Sequence, residues 1–569
     1  MRRLVSFPAG LLVVYCILAV AAFWTAWTSP TDRWIGFPRD PILFIWSLDW
    51  VPFALTHGHD PLFTNFIAYP DGINLLWNTT VPFAGFVLTP VTLLLGAVFS
   101  YNVLSTLALA LSAWVAYFAF RRYTGEIAAA VGGLLFGFGP YTFAQAKEHP
   151  QISFVVFPPL MLLLLDEILV RQRRSPVRLG LLLSVATIIQ VLIGQEMALA
   201  TILVAAIAVV VLALLHVDQI RPRLPYAARA LGTAIGVFVV IGAYPLALLF
   251  FGSGRWHGAA QLPDTYVTDL LAFVVPTHHQ QLATSWTERI MFTFTGPSEL
   301  DAYIGIPLLL LVLYVVVRWW RDALVRFMAV LGVIAAVLSL GPRLHVKGDS
   351  LPVIRLPWVV PQRIPLLESI LPARLAVFTL LAVALLVAVF IDRARVSRLV
   401  VAAIVVVAFA PLFPSLPFPS QPATAPALFE HQADRIPKDS VAIVAPPAGL
   451  ASATARPMIW QLKTDFRFRM PGAYAISGVQ TRTAVMVHIN DILHQDQPPP
   501  LTPAYTRMLR CSIVQLRAQT LVVGPMRVGR RQIVQLFRTL LERPPERIGG
   551  VQLWRNALAS ARRSAGSCA

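Results

Sequence analysis

The residues of this chain best suited to chemistry are carboxylates at the edges of very apolar segments. The stretch GFPRDPILFIWSLDW, residues 36–50, places Asp40 and Asp49 beside tryptophans and a proline, in a chain where only 13% of 569 residues are charged. Such an acid is a candidate general base or sugar ligand. Two positions nine apart on a helix point to different faces, so we expect one of them per site and favour Asp40, which is nearer the first apolar run. The alternative is that Asp40 caps a helix over about 41–55.

Short polar stretches between later apolar runs carry further candidates. Glu148 and His149 lie in YTFAQAKEHPQIS, and Glu196 lies in IGQEMA. A carboxylate at such a depth is costly unless it faces a cavity or a partner, so these residues are candidates for a functional site. An interfacial pair with Lys147 is the alternative for Glu148.

A third cluster, FTGPSELDAYIGIP, supplies Glu299, Asp301 and Tyr303 where another apolar run begins. Capping of that helix by Ser298 or Asp301 is the competing interpretation.

His57 and His59 complete the set of predicted substrate-binding residues. They could hold a metal with Asp60, but histidines at alternate positions are a weak metal signal. We therefore favour a hydrogen-bonded or solvated pair; a divalent metal is possible but not indicated.

The stretch 341–373 and its border have a basic surplus, to which Arg363 and Arg374 belong. Guanidinium groups pair bidentately with phosphate, so these two are candidates for a lipid-phosphate site. Ordinary contact with lipid headgroups is the alternative for each arginine taken singly.

The composition shows what must position these side chains. The chain is 57% hydrophobic, and apolar runs near 20 residues, long enough to cross a bilayer, recur along it. The net charge of +18 comes from arginines that punctuate these runs instead of forming one basic stripe, which argues against nucleic-acid binding. We expect eleven spans, at 9–28, 102–120, 127–145, 151–170, 178–193, 197–215, 228–251, 303–318, 324–340, 374–391 and 397–411.

The arginine clusters set the orientation of these spans. They begin with Arg2 and Arg3 and fall in alternate connections, so the positive-inside rule places the N terminus in the cytoplasm. The loops 29–101, 252–302 and 341–373, and the C terminus, then face outward. Counting residues 83–99 as a span would invert every later cluster, so we interpret them as a re-entrant or interfacial helix interrupted by Pro90. A twelfth span that breaks the charge rule is the alternative.

Residues 412–569 differ in character from the membrane region. A proline-rich linker is followed by the short apolar stretches VAIV, TLVVG and GVQLW, and by apolar residues at helical spacing from Ile533 to Leu541. The predicted fold is an all-α polytopic membrane domain over 1–411, followed by a small extracytoplasmic α/β domain. Cys511 and Cys568 either pair there or remain unpaired.

This arrangement resembles the GT-C superfamily of membrane glycosyltransferases. The resemblance rests on a short first span, a long outward loop with an acid, a second acid in the next outward loop and a terminal soluble domain. It implies transfer of a sugar from a polyprenyl-phosphate donor to an envelope glycan or lipid at the outer face of a bacterial inner membrane. By position, Asp40 matches the first-loop acid and Glu148 the second.

Four patches resemble an uncharacterised bacterial branch of such proteins: YPDGINLLWNTTVP, GLLFGFGPYTFAQAKEHPQ, ELDAYIGIPLLLL and RPMIWQLKTDFRFRMPGAY. The Asp-Glu pair of protein mannosyltransferases is absent, since Pro41 follows Asp40, and the WWDYG-type motif of oligosaccharyltransferases is missing. In the implied chemistry Asp40 is the base and Glu148 and His149 orient the sugar. A lipid transporter or flippase, or a non-catalytic assembly scaffold, are the rival functions; the sequence leaves the sugar, the acceptor and the oligomeric state open.

Overall fold

The computed structural model describes residues 2–566 and 568, except 79, 216–220, 255–257, 259–260, 263, 297, 450–453 and 477–482. The side chains of residues 2–6, including the predicted cytoplasmic Arg2 and Arg3, also lie outside the described part. The chain divides into two compact units. The membrane unit comprises Met1–Thr28, Asn102–Tyr244 and His257–Pro419, and the loop–tail unit comprises Ser29–Tyr101, Pro245–Trp256 and Ser420–Ala569.

The structure is mostly helical, as the apolar runs predict. Among the described residues, six helices are long and apolar enough to cross a membrane: Ala97–Phe120, Glu126–Gln145, Pro150–Arg171, Gln195–Leu215, Arg221–Ile241 and Pro372–Arg393. Six further apolar helices have 10–17 residues: Phe7–Ala22, Pro82–Leu95, Pro176–Val191, Ile306–Arg318, Ala323–Ser339 and Arg398–Leu412. The prediction of a helical membrane fold is confirmed at this level.

The core of the membrane unit surrounds the helix Ala376–Arg393, in which every residue from Ala376 to Phe390 is buried. This helix packs against Glu126–Gly137, Ile306–Arg318 and Ala323–Ser339. Gly132 permits one of these contacts, because a Cβ at that position would lie 2.9 Å from the carbonyl oxygen of Ala384. The central helix is therefore the core element of the unit, and the polar loops connect the helices that pack around it.

One polar loop of the membrane unit forms a hairpin. Arg343–Val346 pairs antiparallel with Asp349–Arg355, and short 3-10 turns follow up to the turn Pro372–Leu375 that leads into the central helix. Arg363 and Arg374 each lie in one of these turns.

In the loop–tail unit, the helices Asp40–His57 and Pro82–Leu95 pack against each other. Pro82–Leu95 has 14 residues and contains Pro90. It ends at Gly96, whose φ of +86° separates it from the helix Ala97–Phe120.

A five-stranded sheet forms the centre of the chain's last part. Its strands, in spatial order, are Glu546–Ile548, Val551–Trp554, Ala518–Val523, Ser440–Ala445 and Phe468–Arg469. Ser440–Ala445 runs parallel to both of its neighbours, and the other pairs are antiparallel. The helices around it include Arg456–Leu462, Ala484–His494, Pro503–Gln515, Arg530–Leu541 and Ala557–Ala565.

The three apolar stretches predicted as strands coincide with three of these strands. The helix Arg530–Leu541 buries the five residues whose helical spacing predicted it. Cys511 and Cys568 are joined by a disulfide, which resolves the alternative left open by the sequence. Cys16 is a free thiol.

Candidate functional site

Asp40 is the first residue of the helix Asp40–His57, and Arg39 is its N-cap. The capping role considered for Asp40 is therefore not the one it has. Its Oδ1 accepts a hydrogen bond from the Oη of Tyr474 at 2.7 Å, within the loop–tail unit. A negative side chain in the first helical turn is favoured by the helix dipole. Asp40 is half-buried, so the hydrogen bond from Tyr474 orients its carboxyl while part of the side chain remains exposed.

Asp49 lies nine residues further along the same helix, on the opposite side by helical geometry. Burial, and secondly the nearby Asp465, raise the pKa of its carboxyl from 3.8 to about 7. Asp49 and Asp40 therefore occupy different environments, as the spacing predicts.

His57 and His59 pack on aromatic rings at the end of this helix. The ring of His57 stacks on Phe53 at 4.2 Å between centroids, and His59 stacks on Trp50 at 5.9 Å. The Nδ1 of His57 lies 3.0 Å from the carbonyl oxygen of Phe53. The structure thus gives both imidazoles a packing role.

In the membrane unit, three predicted residues from distant parts of the sequence meet. Arg374 donates through Nη1 to Glu196 and through Nη2 to Glu299 Oε1 at 2.5 Å, and its Nε lies 3.1 Å from the same oxygen. The other oxygen of Glu196 accepts from the backbone N–H of Leu371 at 2.8 Å. Arg374 is only 9% exposed, so its guanidinium is committed to two buried carboxylates instead of a free anion site.

Gln145 extends this network to the second-loop histidine. Its Nε2 donates to Glu299 Oε2 at 2.6 Å and to Asp301 Oδ2 at 2.8 Å, and its Oε1 lies 2.8 Å from Nδ1 of His149. The carboxylate of Glu299 is paired with Arg374 and can only accept, so the amide nitrogen of Gln145 must face it and the amide oxygen faces His149. His149 is consequently a donor at Nδ1, and its neutral form carries the lone pair on Nε2.

Asp301 and Glu299 have different protonation behaviour. Burial, and secondly the charge of Glu299, raise the pKa of Asp301 well above its usual value. Burial acts in the same direction on Glu299, but the charges of Arg374 and His149, together with the hydrogen bonds from Arg374 and Gln145, outweigh it and lower the pKa of that carboxyl. Asp301 therefore keeps its proton to a higher pH than Glu299 does. Within the described part of the chain, Oδ1 of Asp301 is buried and has no hydrogen-bond partner.

Neither competing interpretation of this cluster holds. The helix Ile306–Arg318 has Gly305 as its N-cap, so it is not capped by Ser298 or Asp301. Tyr303 precedes the helix instead of starting it and is buried in the apolar core of the membrane unit.

Glu148 lies in the turn between the helices Pro140–Gln145 and Pro150–Ser153, half-buried beside His149. The preceding Lys147 is buried, and its Nζ lies 2.6 Å from Nδ1 of His279. Burial lowers the pKa of Lys147 to about 8, against the opposite effect of Glu148.

Arg363 is exposed at the end of its 3-10 turn. Gln145, Tyr474 and His279 belong to these clusters but were not predicted from the sequence. Gln145 precedes His149 by four residues, one helical turn, and that spacing is the only local signal that could have found it.

The chain matches one protein family and several solved structures. The model of a family described as a domain of unknown function (DUF6311) matches residues 9–412. No curated protein sequence matches the chain. Among solved structures, the arabinofuranosyltransferase AftD from Mycobacteria matches 98% of the chain at 16% identity with a TM-score of 0.54. The chain spans 40% of the length of that AftD chain.

Two other solved structures match over almost the whole chain with lower TM-scores. ArnT from Cupriavidus metallidurans matches 97% of this chain and 99% of its own, at 12% identity and a TM-score of 0.48. The oligosaccharyltransferase AglB from Archaeoglobus fulgidus, in complex with an inhibitory peptide and a dolichol-phosphate, matches 98% of this chain and 72% of its own, at 12% identity and a TM-score of 0.46. The AftD structure, with its TM-score of 0.54, confirms the resemblance to GT-C glycosyltransferases at the level of the fold.

Proposed function

The chain belongs to the DUF6311 family and shares the fold of a membrane arabinofuranosyltransferase, and from this premise we propose that it is a glycosyltransferase. It moves a sugar from a polyprenyl-phosphate donor to a cell-envelope acceptor at the outer face of the inner membrane, with inversion. A shared fold does not determine an activity, so the proposal depends on the site residues.

The observation that carries the proposal is the buried polar network around Gln145. It joins Glu196, Arg374, Glu299, Asp301 and His149, which come from four separate parts of the sequence. Burying such groups has a large desolvation cost, which natural membrane proteins tolerate mainly at functional sites. The network includes His149, next to Glu148, so its effect is to position the second-loop pair.

In the proposed reaction Asp40 is the general base. It accepts the proton of the acceptor hydroxyl as the oxygen attacks the anomeric carbon and the bond from that carbon to the donor phosphate breaks. Glu148 and His149 orient the sugar through hydrogen bonds. Arg363, which is exposed, stabilises the departing lipid phosphate. Tyr474 holds Asp40 in place.

The remaining predicted residues have supporting roles in this proposal. Glu196, Glu299, Asp301 and Arg374 are positioning residues, because their polar atoms contact one another or Gln145. Four predicted residues pack within the protein in this proposal and do not contact the sugar: Asp49, His57, His59 and Tyr303.

We also propose the eleven-span topology, with a cytoplasmic N terminus and an extracytoplasmic α/β domain over 412–569. The six long helices and five of the six shorter ones each overlap one of the eleven expected spans, and Pro82–Leu95 corresponds to the segment expected to be re-entrant or interfacial. The disulfide between Cys511 and Cys568 supports an oxidising compartment for the tail, since disulfides are rare in the cytoplasm.

The test is release of labelled sugar by the purified full-length protein from a panel of polyprenyl-phosphate sugars that begins with the arabinofuranosyl donor. We expect turnover of one donor and a loss of about 10²–10⁴-fold in Asp40→Asn, the usual contribution of a general base. Asp49→Asn is the matched control, because it changes an acid of the same helix and should keep the activity.

Two results would count against the proposal. Activity that survives Asp40→Asn and disappears in Asp49→Asn would transfer the base to Asp49. Absence of turnover and of binding for every donor would favour a transporter or a scaffold.

A further inference from the structure

A cleft with a basic end lies between three helices of the membrane unit. None of its lining residues belongs to the network around Gln145. It has a volume of 1050 Å³ and is bordered by Ile306–Arg318, the end of Ala376–Arg393 and Arg398–Phe409. Its lining residues include Arg318, Arg393 and Arg395, and we refer to it as the arginine cleft.

The walls of the arginine cleft are apolar over the depth of a membrane leaflet. On the first helix the lining extends from Pro307 to Arg318, eleven positions or about 16 Å, close to half of a hydrocarbon core of about 30 Å. Leu310 and Val407 in the lining are 61% and 62% exposed. The cleft is therefore open sideways along apolar surface, as a site for a hydrocarbon chain requires.

The basic end has two arginines suited to an anion. Arg393 donates to Asp322 at 2.8 Å, and Asp392, also in the lining, accepts from the backbone N–H of Gly125 at 2.8 Å. Arg318 and Arg395 are exposed at the same end. Arg318 lies 5.7 Å from the ring centroid of Trp319, an aromatic type that prefers the membrane–water interface.

We propose that the arginine cleft binds one anionic phospholipid, with its phosphate on Arg318 and Arg395 and an acyl chain along Leu310, Ile404 and Val407. Arginine pairs with phosphate through two parallel hydrogen bonds. Basic pockets between transmembrane helices are an established way of holding anionic headgroups. A zwitterionic lipid fits the apolar wall equally well but offers no net charge to the two arginines, so the site should discriminate by headgroup. This inference does not depend on the proposed enzymatic function.

The experiment is a titration of the full-length protein, in a neutral detergent, with phosphatidylglycerol, cardiolipin and phosphatidylcholine, followed by native mass spectrometry. We expect the anionic lipids to bind more tightly, and Arg318→Gln with Arg395→Gln to weaken them about tenfold, the equivalent of one charge-assisted contact. Arg321→Gln with Arg398→Gln is the matched control, since those arginines are exposed outside the lining. It should change the affinity less than twofold.

A second pair of variants tests the apolar part without changing charge. Ala403 is exposed in the cleft wall, so Ala403→Phe should fold and block the acyl chain, whereas Ala402→Phe on the adjacent surface should not. The proposal would be overturned if Arg318→Gln with Arg395→Gln weakened anionic and zwitterionic lipids equally, or if the control arginine variant had the same effect. Displacement of the lipid by glycerol phosphate alone would also overturn it. Preferential binding of a polyprenyl phosphate through Arg318 and Arg395 would also overturn it and assign the cleft to the donor.

Discussion

Gln145 holds His149 in a single tautomer, because its amide oxygen lies 2.8 Å from Nδ1 of the imidazole. The opposite end of the same amide donates to Glu299 and Asp301, which prevents it from rotating by 180°. The proton on Nδ1 leaves Nε2 as the basic nitrogen of neutral His149. The uncharged side chain of Gln145 thus links two buried acids to His149, the residue that we propose to contact the sugar.

Substitution of Gln145 by leucine should therefore be costly. The change removes the donor to two buried carboxyl groups, each loss being worth about 1–3 kcal/mol, and releases the imidazole. We expect a lower thermal midpoint of Gln145→Leu in detergent and, in the sugar-release assay, a lower kcat with a displaced pH optimum. Gln151→Leu is the control: Gln151 is equally buried, and its Oε1 has no hydrogen-bond partner among the described residues. Equal stability of the two variants would contradict this role of Gln145.

Removing the cation of the network should have a larger effect. Arg374→Met leaves the carboxylates of Glu196 and Glu299 buried without their partner, and breaking a buried ion pair in this way costs about 3–5 kcal/mol. We expect a strongly reduced free energy of unfolding, partly restored when Glu196→Gln and Glu299→Gln are added to Arg374→Met.

The control for this prediction is Arg363→Gln. Arg363 is exposed, so the free energy of unfolding should change by less than about 0.5 kcal/mol. A comparable destabilisation by the two arginine substitutions would show that the buried ion pairs are not what Arg374 contributes.

The sequence predicts helices in this protein more successfully than the partners of polar groups. Long apolar runs must form helices in a membrane because the backbone has no other hydrogen-bond partners there. Glu196 and Arg374 were both recognised as functional candidates, but 178 positions separate them, and no local pattern indicates that they pair. Arg374 was expected at a lipid phosphate for this reason.

Uncharged and aromatic residues were the harder cases. Gln145 carries no charge, so the cost of burying a charge in the membrane, which selected the acidic candidates, does not select it. Trp46 and Trp50 are of a residue type common at membrane interfaces, but they stack on each other at 5.4 Å and are fully buried. Their spacing of four on one helix is equally compatible with a core, and only the tertiary fold decides between these roles.

The disulfide gives a test of the proposed orientation. Cys511 and Cys568 are 57 positions apart, and loss of such a crosslink typically destabilises a domain by about 2–5 kcal/mol. In intact cells, in a Cys16→Ala background, a membrane-impermeant maleimide should label the protein only after reduction. Cys511→Ser should allow labelling of Cys568 without a reductant. Labelling of the unsubstituted pair before reduction, or none after it, would contradict the proposed location of the tail.

Asp49 should make stability depend on pH in the direction opposite to an ordinary surface acid. Its folded-state pKa of about 7 lies above the usual 3.8, so its contribution to stability is complete below pH 4 and is lost as the pH rises to 7. The loss is at most about 1.4 kcal/mol per pH unit. Asp49→Asn cannot ionise, so its thermal midpoint should rise relative to that of the unsubstituted protein between pH 5 and pH 7 and then remain parallel. Parallel curves for Asp49→Asn over the whole range would show that its carboxyl titrates normally.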